Sequence, residues 1–147
     1  MQLSTKGRYA VMAMADLAGQ TLRPAVSLAE IAERQQLSLA YLEQLFARLR
    51  RRGLVVSVRG PGGGYRLAKP ASETSVAEVV TAVDEPLRAT RCGGGKGAAK
   101  GCMKGGAKCL THDLWEETGR QIFQYLSSVS LADVLSGRLR PQEARAA

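Results

Sequence analysis

Four side chains able to bind a soft or borderline metal fall in one short window of this 147-residue chain. They read Cys92-x9-Cys102-x6-Cys109-x2-His112 and comprise every cysteine and the single histidine. An odd cysteine count, behind an N-terminus with no secretory pattern, argues against a disulfide framework. Three thiolates and one imidazole satisfy a Cys₃His zinc site, although structural zinc usually takes its ligands as close pairs and only Cys109 and His112 form one here. They equally satisfy a [2Fe–2S] core, which takes two ligands per iron and tolerates histidine in place of thiolate. The spacing does not choose between these metals, and metal-free thiol oxidation is a third use of the same residues. Three thiolates on an oxidised core leave a net negative charge, which Arg91, Lys96, Lys100, Lys104 and Lys108 would stabilise.

Charge points to a second activity. The formal net charge is +8, concentrated in two islands. From Ser38 to Lys69 seven basic residues (Arg48, Arg50, Arg51, Arg52, Arg59, Arg66, Lys69) face one acid, Glu43. From Arg91 to Cys109 five basic residues face none. Basic islands on a slightly acidic body are the footprint of a polyanion binder. No apolar run reaches the ~18 residues needed to span a membrane, so a cytoplasmic protein without a membrane partner is expected. One histidine, with no nucleophile–base constellation around it, argues against an enzyme.

The elements that must position these residues follow from local chemistry. A first helix is expected from about Ser4 to Ala18, with Tyr9, Met12, Ala13 and Leu17 on its buried stripe. Thr21 to Val26 reads as a connection. Ser27 and Glu30 form a capping box that opens a short helix to about Arg34. Ser38 caps the next helix, to about Arg52, with Leu42, Leu45, Phe46 and Leu49 inward and Gly53 at the stop. A hairpin follows, Leu54–Val58 and Tyr65–Ala68, around the glycine-rich tip 59–64. Ser75 and Glu78 form a second capping box for a helix to about Asp84.

Seven of the nineteen residues from Arg91 to Cys109 are glycine. A segment this poor in apolar residues is expected to be mobile unless something ties it down. A long amphipathic helix starts near Thr111, and Trp115, Thr118, Ile122, Tyr125 and Val129 step by three and four, the seam of a coiled-coil-like pair. With Leu126 these are the expected dimer contacts, because Trp115, Phe123 and Tyr125 exceed what so small a body can cover. Ser130 caps a final short helix.

Helix, short helix, helix and hairpin is the order of a winged helix-turn-helix. The fold class is therefore mainly α with a small β-hairpin wing and a long C-terminal dimerisation helix. The DNA-binding region is expected over 1–85, with the helix-turn-helix at about 28–51 and the wing at about 54–68. A glycine-rich ligand loop follows over 86–112, then the dimerisation and final helices over 111–136 and a disordered tail over 137–147. The N-terminal half of the second helix of the turn would enter the major groove, presenting Ser38, Ala40, Tyr41, Glu43 and Gln44. Glu43 can accept from a cytosine amino group and Gln44 can pair with an adenine edge. The wing tip offers Arg59 and Gly60 to phosphates or the minor groove. The lack of an aromatic stacking platform argues against RNA.

The chain resembles the Rrf-type winged-helix transcription factors, specifically their cluster-binding branch. The resemblance rests on Leu3–Val11, Ser38–Phe46, Val58–Tyr65, Ala82–Glu85 and Cys109–His112. It implies a homodimer paired through the long helix on pseudo-palindromic promoter DNA. It also implies a [2Fe–2S] cluster on Cys92, Cys102, Cys109 and His112, supplied by the iron–sulfur assembly machinery, and cluster-dependent repression of iron–sulfur assembly genes. Glu43, by the same resemblance, restricts which operators the cluster-free form accepts. Two features depart from the family pattern: the spacers between the cysteines are longer, and Ala40 stands where a serine would fit.

Overall fold

The computed structural model describes residues 3–85, 87, 89 and 101–139. Helix α1 (Thr5–Gly19) is followed by α2 (Leu28–Gln35) and α3 (Leu39–Arg51), then by an antiparallel hairpin of β1 (Val55–Val58) and β2 (Gly64–Leu67). A 3₁₀ turn (Ala71–Glu73) leads to α4 (Val76–Ala82), and α5 (His112–Ser128) and α6 (Leu131–Ser136) are the remaining elements among the described residues. The mainly helical architecture with one small sheet is a winged helix-turn-helix.

Local chemistry sets the helix starts. Ser27, Ser75 and Ser130 each accept a hydrogen bond from the residue three positions on, whose carboxylate answers to the cap backbone: Glu30, Glu78 and Asp133 respectively. Arg23 and the Ser27 groups together hold the Glu30 carboxyl down at about 2. Ser38 caps α3 by accepting from the Tyr41 N–H at 3.3 Å. Each such cap contributes about 1 kcal/mol.

One core joins the elements. Phe46, Leu42, Leu45 and Leu49 of α3 meet Ile31 of α2, Met14 of α1, Val79 and Val83 near α4, and Leu131 of α6, all essentially inaccessible to solvent. In α1 the buried set is Gly7, Ala10, Ala13, Met14, Leu17 and Ala18. Met12, expected inward, is 38% exposed and Met14 takes its place. The small residues let α2, α4 and α6 approach α1 from several sides, so a single stripe describes it poorly. Asp16 ties α1 to the end of α2, the first helix of the helix-turn-helix, because Arg34 and Gln35 both donate to its carboxylate at 2.7 Å. Burial pushes that carboxyl up, but these hydrogen bonds outweigh it and hold it below its ordinary value.

The segment expected to be a plain connection also contributes a strand position. Val26 and Tyr65 exchange backbone hydrogen bonds of 2.9 and 2.8 Å, anchoring the wing to the chain two residues before α2. Tyr65 then packs edge-on to Phe46 with ring centroids 5.1 Å apart. This close approach requires Gly64, whose φ is +151° and whose added Cβ would lie 2.1 Å from the Val26 carbonyl oxygen. A second bridge, Ser75 with Ser130, joins the start of α4 to the end of α5 through Val76 N–H to Val129 O at 2.8 Å. Gly64→Ala is expected to cost about 2–3 kcal/mol through this collision. Urea unfolding measures it, and Gly62→Ala, which has open space around its Cβ, should cost less.

Candidate metal centre and nucleic-acid interface

Around His112 the chain turns twice. Residues 101–107 close on themselves: Gly101 N–H donates to Gly106 O at 3.1 Å, and Met103 N–H to Ala107 O at 3.1 Å. A side chain at Gly101 would strike the Ala107 carbonyl oxygen at 2.3 Å. This turn brings Cys102 back to the start of α5, where its Sγ lies 3.0 Å from Nδ1 of His112. Cys109 is half-buried one turn earlier, its carbonyl accepting from His112 N–H at 3.1 Å and its Sγ lying 3.9 Å from Thr111 Oγ1; the close group of ligand atoms among the described residues is His112, Asp113 and Glu116 and does not include it. His112 itself is 9% exposed. Cys92 lies outside the described residues, as do Arg91, Lys96 and Lys100.

The donor set present suits a metal. Two ligands on one tetrahedral metal, with bonds of about 2.3 Å to sulfur and about 2.0–2.1 Å to nitrogen, stand about 3.5 Å apart. Cys102 Sγ and His112 Nδ1 need only half an ångström to reach that separation. The positive end of the α5 helix dipole favours negative charge nearby. Lys108 pairs with Asp113 at 3.2 Å, and this contact raises the lysine's pKa. The far side of the ring carries a residue the sequence reading passed over: His112 Nε2 is 3.5 Å from Oε2 of Glu116. Its spacing of four on a helix was the available signal.

The predicted DNA-reading residues occupy one end of α3. Ala40, Glu43 and Gln44 are exposed. The Ser38 hydroxyl is engaged in capping. Tyr41 is half-buried, with its ring edge-on to Tyr9 at 6.1 Å. Arg59 and Gly60 are exposed at the wing tip, where Gly60 has φ +98°. The arginines at the other end of α3 divide. Arg50 and Arg51 are exposed, whereas Arg48 binds the Val83 carbonyl at 3.2 Å and the Asp84 carboxylate at 3.0 Å. Arg52 adds a longer contact to Asp84, at 3.9 Å.

Of the residues predicted for pairing, Trp115 is 46% and Tyr125 39% exposed, and Leu114 and Phe123 join them on the surface. Thr118 is half-buried with its hydroxyl donating to Leu114 O at 2.8 Å, and Ile122 is also half-buried. Leu126 packs on the Val76, Val80 and Val129 cluster of its own chain. Val129 is a correction: it lies past the end of α5, only 7% exposed, and its carbonyl holds α4. The three-and-four stepping ran on by one residue after the helix had ended.

A model of the Rrf2 family, described as iron-dependent transcriptional regulators, matches residues 3–137. The HTH-type transcriptional regulator IscR of Serratia proteamaculans (strain 568) is 53% identical over 138 residues, covering 94% of this chain and 81% of that protein. IscR of Photorhabdus laumondii subsp. laumondii is 55% identical with the same coverage. Among solved structures, T. potens IscR is similar with a TM-score of 0.74 and 39% identity, covering 100% of this chain and 93% of that one. CymR, the global cysteine regulator of B. subtilis, is similar with a TM-score of 0.75 and 29% identity, covering 92% and 97%. No helix among the described residues is long and apolar enough to cross a membrane. With its helix-turn-helix, wing and basic surface, the chain belongs to the Rrf2 family of DNA-binding, iron-dependent transcriptional regulators.

Proposed function

We propose that this regulator senses iron–sulfur cluster supply. In this reading Cys92, Cys102, Cys109 and His112 hold a [2Fe–2S] cluster received from the assembly machinery, and a cytoplasmic homodimer binds pseudo-palindromic promoter DNA, mainly repressing iron–sulfur assembly genes. The observation that carries it is the pairing of Cys102 Sγ with His112 Nδ1 at 3.0 Å, at the first residue of α5. Bound there, the cluster supplies an iron- and redox-dependent cross-link between the glycine-rich loop and that helix.

The chain's own residues do the rest. His112 contributes a buried ring on the rigid helix, and the cysteines contribute thiolates from the loop, so ligation restricts the loop relative to α5. A ligand shifts a conformational equilibrium only through different affinity for the two states, and a ligand set drawn from two segments provides that difference. The loop leaves α4 at Asp84 and Glu85, which bind Arg48 of α3 and Ser4 beside α1. Restriction of the loop therefore acts on segments that also hold the DNA-reading helix.

At the DNA, Glu43 and Gln44 are the side chains available for base edges, while Arg59 at the wing tip suits the neighbouring groove or backbone. Ala40 offers only a methyl group. A two-fold pairing of the exposed α5 face would cover Trp115, Tyr125 and Leu114 and set the spacing of the two reading helices.

Anaerobic purification with a visible spectrum and counts of iron and acid-labile sulfide tests the cofactor. Equal amounts of iron and sulfide with visible absorption are expected. Zinc without sulfide, or a protein still colourless after reconstitution, would overturn the cluster. In the metal-free protein, Glu43→Ala should tighten binding to operators that the unaltered protein rejects, by about 1–3 kcal/mol. Fluorescence anisotropy on a panel of operator duplexes measures it, and an unchanged panel would remove Glu43 from the readout.

A further inference from the structure

The helix assigned to the DNA opens on a large apolar side chain that the protein's own core does not take up. We infer that Leu39 is a specificity-determining residue: its side chain packs on the C5-methyl group of a thymine in the major groove. The inference rests on the reading above in which the N-terminal half of α3 enters that groove. Around the start of this helix most side chains already have a place. Leu37 packs on the hydrophobic core, the Ser38 hydroxyl accepts the Tyr41 N–H, and the Tyr41 ring stands edge-on to Tyr9. Leu39, the first residue of α3, is 41% exposed, and Ala40 beside it is exposed too.

A lone exposed leucine is ordinary on a protein surface; the place of this one supplies its partner. Base edges in the major groove present hydrogen-bond donors, acceptors and one apolar group, the thymine methyl. Opposite a cytosine, Leu39 would cover the N4 amino donor without satisfying it, which costs affinity. Opposite a thymine it buries a methyl group, which favours binding about fourfold. Leu39 and Glu43 stand four residues apart and share a helix face, so an apolar contact and an acceptor are offered side by side. Four residues rise about 6 Å along a helix, close to two base-pair steps of about 3.4 Å. The thymine read by Leu39 therefore lies within about two base pairs of the base read by Glu43. Ala40, with its single methyl group, is too short to hold this end of the helix away from the bases.

The test uses duplexes that the full chain selects from a random pool, with each thymine replaced in turn by deoxyuridine, which removes the methyl and leaves the base pairing unchanged. Fluorescence anisotropy should find a thymine at which this change weakens binding about fourfold, within about two base pairs of the position where Glu43→Ala alters the preference. Leu39→Ala should bind the thymine and deoxyuridine duplexes alike, and Leu39→Met, which keeps the apolar bulk, should retain most of the difference. No methyl-sensitive thymine within that distance, or a fourfold difference that persists in Leu39→Ala, would overturn the inference. Replacing purines by their 7-deaza analogues, which removes the N7 acceptor in the major groove, separates the two ways of failing. Sensitivity to N7 without sensitivity to the methyl overturns Leu39 alone, whereas sensitivity to neither overturns the placement of α3 in the groove as well.

Discussion

One imidazole ring links the two halves of this molecule's chemistry. His112 is the first residue of α5, so its backbone belongs to the helix that carries the exposed aromatic face, while its Nδ1 meets a thiol on the preceding loop. In the proposed centre, a ligand at any later position of α5 would sit farther along the rod, and one on the loop itself would lack a rigid support. At the first turn the ring is fixed by the helix backbone and the loop can still reach it. The glycines at 101 and 106 make that reach possible, since the turn there leaves no room for a side chain at Gly101 and needs φ +81° at Gly106.

The second constraint lies at the other end of the loop. Asp84 has φ 58°, unusual for a residue other than glycine and tolerated best by Asn and Asp. It turns the chain so that its carboxylate meets Arg48 while Glu85 meets Ser4. Arg48 is an arginine of the reading helix that faces the protein body. The ion pair itself is exposed and worth little as stability, but it joins the loop's origin to α3 by a short path. The wing is held separately, by Val26 and Tyr65 over Gly64.

Much of this was legible in the sequence wherever the chemistry is local. Ser27 with Glu30, Ser75 with Glu78, and Ser130 each mark a helix start within a few residues, and Gly53 marks the end of α3 with φ +76°. The window of cysteines and His112 was equally plain, because residue type and spacing carry the signal. What failed depended on partners distant in sequence. Met12 and Met14 could be told apart only by knowing that α1 is approached from several sides. Val26 gained its strand partner 39 positions on. Val129 fits the helical repeat but belongs to a bridge with α4.

The central claim is that ligation at His112 and the cysteines governs which DNA the paired helices accept. Its most direct test compares operator binding by the cluster-loaded protein and by Cys92→Ala, with sedimentation to establish the oligomeric state of both. The account predicts a colourless variant that still dimerises and whose preference among operators differs from that of the loaded protein. A colourless dimer with the same operator preference would contradict it.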